Sequence, residues 1–179
     1  FLSAQGLKAE GKKIVDNNGN EVLLRGMGLG GWMLMEGYMM QSSDVADTQH
    51  EFRERLEDLM GIDKTNAFFD KWLENHVTKA DIDSLSAWGF NSVRLPMHYN
   101  LFTLPIEKEP VEGENTWLDK GFTIVDELLQ WCEENQVYLI LDLHAAPGGQ
   151  GANAAISDYN PDLPSLWESD LNKNKTIAL

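Results

Sequence analysis

Val137-Tyr138-Leu139-Ile140-Leu141-Asp142-Leu143 is the stretch on which the fold turns. So short and nearly unbroken an apolar run is the signature of a strand covered on both faces, as in a parallel sheet. The residues before it have the other period. Over 118–134, Ile124, Val125, Leu128, Leu129, Trp131 and Cys132 gather on one side of a helix. Only Asn135-Gln136 separates that helix from the strand. Ahead of the helix lies a long loop, 97–117, and ahead of the loop a short strand, Asn91-Ser92-Val93-Arg94-Leu95-Pro96, which proline is expected to stop. Strand, helix and strand in this order make a βαβ unit.

Working outward, Thr78-Lys79-Ala80-Asp81 is a capping box opening a helix with Ile82, Leu85 and Trp88 on one face, ended by Gly89. Residues 66–75 place Phe68, Phe69, Trp72 and Leu73 at helical spacing, and Asp47-Thr48 caps a helix over 51–60 that Gly61 stops. Gly26, Gly28, Gly30 and Gly31 form a stretch suited to close backbone approach or positive φ. Before it, residues 12–15, the turn Asp16-Asn17-Asn18-Gly19 and Val22-Leu23-Leu24 read as a hairpin. After the apolar strand come another glycine-rich loop, 147–151, and a helical pattern from Ser165. Long loops follow strands, whereas the helix-to-strand turns (Gly89-Phe90, Asn135-Gln136) are short. That asymmetry predicts function at the C-terminal strand ends of a barrel. The expected fold is α/β, a (β/α)8 TIM barrel. Residues 1–179 would be one incomplete domain supplying an N-terminal hairpin and the first three βα units.

Fourteen Lys and Arg stand against 29 Asp and Glu, a net charge of −15. Phosphate backbones and anionic membranes would be repelled, so neither nucleic acid nor membrane is an expected partner, while a neutral polysaccharide is indifferent to the charge. The one cysteine, Cys132, excludes an intrachain disulfide. No apolar run reaches the roughly 18 residues of a membrane span. Phe1-Leu2-Ser3-Ala4-Gln5 lacks a charged n-region and is too short for a signal peptide, though it suits what remains after cleavage of one.

The two-residue strand period puts Ser92 and Arg94 on one face and Val93 and Leu95 on the other. With the apolar pair toward the helices, Arg94 points inward near the strand's C-terminal end. Its carboxylate partner is expected from another strand, and a plain strand-end salt bridge is the simpler alternative. Asp142 and His144 likewise share a face, with His144 at the strand tip. There it could donate to a sugar hydroxyl or a carboxylate, be a satisfied core histidine, or join Asp142 as a metal ligand. No further Cys or His cluster supports a metal, and none is expected. Trp32, Tyr38, Tyr99 and Trp167 lie in or near strand-end loops, where aromatic faces stack on pyranose rings or simply fill the core. Trp72, Trp88, Trp117 and Trp131 read as packing. Gly148-Gly149-Gln150-Gly151 lacks the Lys-Ser/Thr of a phosphate loop, and no cofactor is expected.

Together, three motifs resemble glycoside hydrolase family 5, and most closely its exo-β-1,3-glucanase-like subgroup. They are residues 25–36 (RGMGLGGWMLME) for the first strand, 89–96 (GFNSVRLP) for the second and 141–150 (LDLHAAPGGQ) for the third. The resemblance covers about residues 8–165. It implies retaining hydrolysis of β-1,3- or β-1,4-glucan. Arg94 would orient the nucleophile and His144 would contact the sugar at the cleavage subsite, both as supporting catalytic residues. Glu36, Trp32, Tyr38, His98, Tyr99, Gln150 and Asn153 would contact substrate. Gly28 departs from the asparagine usual there. The acid/base and nucleophile are glutamates on later strands, expected beyond residue 179, so this segment alone is expected to be inactive. The complete protein is expected to be monomeric and secreted or periplasmic, from its substrate class. The alternative is a non-catalytic carbohydrate-binding relative on the same barrel.

Overall fold

The computed structural model describes residues 6–179, so the reading of residues 1–5 lies outside it. A hairpin comes first, β1 (Lys8–Glu10) antiparallel to β2 (Lys13–Val15), with Ala9 opposite Ile14. The sequence places this hairpin one turn later. The expected turn does form, with Asp16 Oδ1 accepting the amides of Asn18 and Asn20 at 2.8 and 2.9 Å. The return segment nevertheless stays irregular after Val22 donates to the Ile14 carbonyl at 2.8 Å. Leu23 is largely exposed.

The central sheet is parallel and ordered β3 (Gly26–Gly28), β4 (Ser92–His98), β5 (Tyr138–Ala145). Gly28 faces Arg94, and Arg94 faces Ile140. A Cβ on Gly26 would come within 2.5 Å of Ser92 Oγ, so glycine is what lets these two strands close. β4 runs straight through Pro96, against expectation. In this register residues 92, 94 and 96 direct their amides toward β3, and β3 has ended at Gly28. The missing N–H of Pro96 therefore removes no ladder bond.

Around the sheet stand α1 (Gly37–Met40), α2 (Gln49–Met60), α3 (Ile62–Asn75), α4 (Lys79–Ala87), α5 (Asp119–Asn135), α6 (Ala154–Ser157) and α7 (Asp170–Ala178). Thr48 caps α2 as expected, through a capping box with Glu51, and the helix starts at Gln49 rather than 51. Gly61, at φ +82°, passes α2 directly into α3, which therefore starts at Ile62 rather than 66. The Thr78 amide donates to Asp81 at 2.7 Å and opens α4.

Val93 and Leu95 are fully buried, packed with Met33, Ile82, Leu85 and Leu128. Two reciprocal indole bonds fasten the segment after β3 to α3. Trp32 Nε1 donates to the Leu73 carbonyl and Trp72 Nε1 to the Gly31 carbonyl, both at 2.8 Å. Trp88 is not packing. α4 ends at Ala87, Trp88 caps it off the apolar face, and the side chain is 73% exposed. Trp117 is also exposed. β5 lies at the sheet edge, and Ile140 and Leu141 are exposed. Among the described residues nothing covers it on both faces, and the sheet is open. Among the described residues no helix is long and apolar enough to cross a membrane.

Candidate active site

Arg94, third of the seven residues of β4 and not at its C-terminal end as expected, meets Asp142 and His144 from the C-terminal half of β5. Asp142 stands opposite Pro96 in the ladder, diagonal to Arg94, and its Oδ2 takes a short hydrogen bond from Arg94 Nη2. The carboxylate partner from another strand is thus Asp142. Between Met97 and His98 the register shifts: Met97 pairs with Leu143 and His98 with Ala145. His144 is the unpaired residue of this bulge, a feature that re-aims a side chain. Its Nδ1 lies 2.9 Å from Asp142 Oδ2 and 2.9 Å from Arg94 Nη2. Nδ1 donates to the carboxylate or accepts from the guanidinium according to where the ring proton sits. Across the site, His144 Nε2 is 4.0 Å from Glu36 Oε1.

Glu36 reaches this position because the segment after β3 is held along β4. Met33 bridges Met97, the His98 amide donates to the Met33 carbonyl at 3.1 Å, and the Met35 amide donates to Gln49 Oε1 at 2.9 Å. Glu36 then caps α1 with its side chain almost wholly buried. Tyr38, two residues on, is exposed. Partial burial and then the Glu36 carboxylate push its hydroxyl pKa upward. The result is an open face of two donors, Arg94 and His144, and one acceptor, Asp142, with the nearly buried Glu36 carboxylate beside His144. Such a set can bind a polyhydroxylated ligand and orient a further carboxylate. It contains no free acid/base pair, because Asp142 is already engaged by Arg94 and His144.

The other expected contacts separate from this face. Trp32 is 2% exposed, its indole is bonded inside the core, and it offers no face to a sugar. His98 is equally buried and bonded at both ring nitrogens. Gln150 spends its amide on the β5 exit loop: Oε1 accepts from the Ala146 amide at 3.0 Å while Nε2 donates to the His144 carbonyl. It braces His144 from behind. Trp167 is exposed and donates to the Gln150 carbonyl at 2.7 Å. Asn153 is exposed at the start of α6. Tyr99 stacks on His98, their ring centroids 5.0 Å apart, and faces a different cleft.

Two clusters escaped sequence reading altogether. Asp158 receives the His50 amide at 2.9 Å, His50 Nδ1 at 2.8 Å and His98 Nε2 at 2.8 Å. Burial raises its pKa, but the two imidazole bonds outweigh burial and hold the carboxyl far below its usual range. The Asp158 bond raises the pKa of His50. Elsewhere Lys175 of α7 forms a buried ion pair with Glu109 and bonds Thr103 Oγ1 at 3.1 Å. Burial would raise the Glu109 pKa, yet Lys175 and Thr116 bring it down to about 2. The His50–Asp158, His98–Asp158 and Lys175–Glu109 partners stand 60 to 108 positions apart, and no local pattern links them. Among the described residues no group of three or more His, Cys, Asp or Glu is arranged to hold a metal ion.

With this geometry in place, comparison with known proteins is specific. Residues 45–176 match the cellulase (glycosyl hydrolase family 5) family model. A β-xylosidase of Phanerodontia chrysosporium is 38% identical over 97% of the chain and 34% of its own length. A glucan 1,3-β-glucosidase of Candida oleophila is 30% identical over 75% of the chain and 32% of its own length. The chain therefore spans about a third of the length of these relatives. The crystal structure of a rutinosidase from Aspergillus niger has the same fold. It superposes with a TM-score of 0.63 at 19% identity, covering 86% of this chain and 41% of that one.

Proposed function

This chain belongs to glycosyl hydrolase family 5, the cellulase family, and from that premise we propose that the complete protein is a retaining hydrolase of β-glucan. The observation that carries the reading is the Arg94–Asp142–His144 cluster facing Glu36 at the strand ends. In a retaining mechanism two carboxyl groups about 5–5.5 Å apart act as acid/base and nucleophile. Both would be glutamates on later strands of an eight-stranded barrel, with residues 6–179 supplying the first three strands. Arg94 would hold the nucleophile ionised and in line, since an adjacent cation favours the charged form of a carboxylate. His144 and Glu36 would donate to and accept from hydroxyls of the sugar being cleaved, and the exposed Tyr38 would border that sugar. A polymeric substrate of this class implies export from the cell.

A second substrate class has its own support. The β-xylosidase is the more similar of the two relatives, so β-xylosides stand beside β-glucans. Purified complete protein should be assayed on laminarin, carboxymethylcellulose, xylan and the p-nitrophenyl β-glucoside and β-xyloside. Release of reducing sugar with retained anomeric configuration is expected from one class. Binding to these glycans without any turnover would replace the hydrolase reading with a carbohydrate-binding one.

A further inference from the structure

A cavity of about 560 Å³ opens beside Tyr99, between α2, α3, the loop after β4 and the loop after β5. Its size falls within the roughly 300–1,000 Å³ typical of ligand pockets. Arg94, Asp142, His144 and Glu36 do not line it. Its apolar lining includes Tyr99, Leu104, Pro105, Ile106, Leu163 and Pro164. The lining also holds the neutral hydrogen-bonding residues Gln49, Asn100 and Asn160.

Charge decides what could occupy it. Arg53, Lys108 and Lys120 line the cavity, and so do Glu54, Glu107 and Asp158. Several of these are already committed. Arg53 Nε bonds Glu57 at 2.9 Å and its guanidinium lies over the Phe69 ring, Lys120 pairs with Asp70, and Asp158 is occupied by two histidines. A charged ligand would meet like and opposite charge together and gain little. A neutral ring with one apolar face and a fringe of hydroxyls matches the lining. The Tyr99 hydroxyl has no hydrogen-bond partner among the described residues and is available for a polar contact.

We infer that the Tyr99 cleft is a second saccharide site, taking a neutral pyranose unit of a β-linked chain apart from the Arg94–His144 cluster. The choice of saccharide rests on the glycoside hydrolase reading; the neutrality of the ligand rests on the lining alone.

The test uses the complete protein carrying Arg94→Ala, which should turn substrate over slowly. Laminarihexaose, cellohexaose and xylohexaose are each titrated calorimetrically. At least one hexaose should bind. Adding Leu163→Arg should weaken that binding at least tenfold, and adding Asn160→Ala should weaken it severalfold. Leu163 is 40% exposed, so the arginine is accommodated without disturbing the core. Unchanged binding in the Leu163→Arg protein overturns the proposal, as does an Arg94→Ala protein that binds none of the three. The active-site reading is judged separately, by wild-type hydrolysis of the p-nitrophenyl glycosides. If that hydrolysis is absent while Leu163→Arg still abolishes hexaose binding, the cleft stands and the hydrolase reading falls.

Discussion

Two aspartates each bridge a pair of basic side chains, Asp142 between Arg94 and His144, and Asp158 between His50 and His98. Asp158 is one-tenth exposed and takes three donors. His98 Nδ1 accepts from the Asn100 amide at 3.1 Å, so its Nε2 must carry the proton given to Asp158. The Asp158–His98 contact is therefore closed, and it ties α2, the end of β4 and the loop after β5 into one body. Asp142 is more exposed, and the Arg94 side chain is 44% exposed. A guanidinium has five N–H donors, and Asp142 does not use them all. A saturated buried carboxylate holds architecture; a partly exposed one with spare donors beside it is available for recognition.

The sharpest way to break that contrast is at the other saturated carboxylate. Glu109→Gln leaves Lys175 charged and unpaired in the interior, and should destabilise the complete protein by about 3–5 kcal/mol in denaturant unfolding. A loss below about 1 kcal/mol would show that the pair is not structural. At the open cluster the effect should be functional instead. Arg94→Ala should lower turnover on the order of 10²-fold, since a misplaced reacting group costs about that much, with little change in melting temperature. A large thermal shift with near-normal turnover would reverse the two roles.

Asp158→Asn should cost about 1.5–3 kcal/mol, the range for hydrogen bonds to a charged group, and should alter the pH profile of stability. The Asp158 pKa is depressed in the fold, so its contribution is present above its unfolded value of about 3.9 and is lost as pH falls toward its folded value. The His50 pKa is raised, so its contribution is complete below about 6.5 and is lost as pH rises through the folded value. The wild type should thus gain most from this clasp between about pH 4 and 6.5, and the variant should be flatter there. Identical profiles would remove Asp158 from the account. Smallest of all, Trp88→Ala should change stability by no more than about 0.5 kcal/mol, as expected at an exposed position. A larger loss would mean that the indole is covered in the complete protein.

Local patterns carried the sequence a long way. The alternation over 91–96 and the apolar run over 137–143 establish two strands and the face shared by Asp142 and His144, because side-chain direction in a strand depends only on position parity. The helix start at Thr78 was legible because a capping box is complete within four residues, and Thr48 was legible as a capping residue. The hairpin register and the passage of β4 through Pro96 were not, because each depends on what lies alongside. The same holds for the contacts. Aromatic residues near strand ends were visible, but not whether a core would claim them: Trp32 is taken by the Leu73 carbonyl and His98 by Asp158. From sequence alone came the family resemblance, the strand order and the face that Asp142 and His144 share. The tertiary structure alone decided the partners: Asp142 for Arg94, Asp158 for two histidines and Glu109 for Lys175. Charges pair across space rather than along the chain, and only the folded chain brings such distant groups within reach.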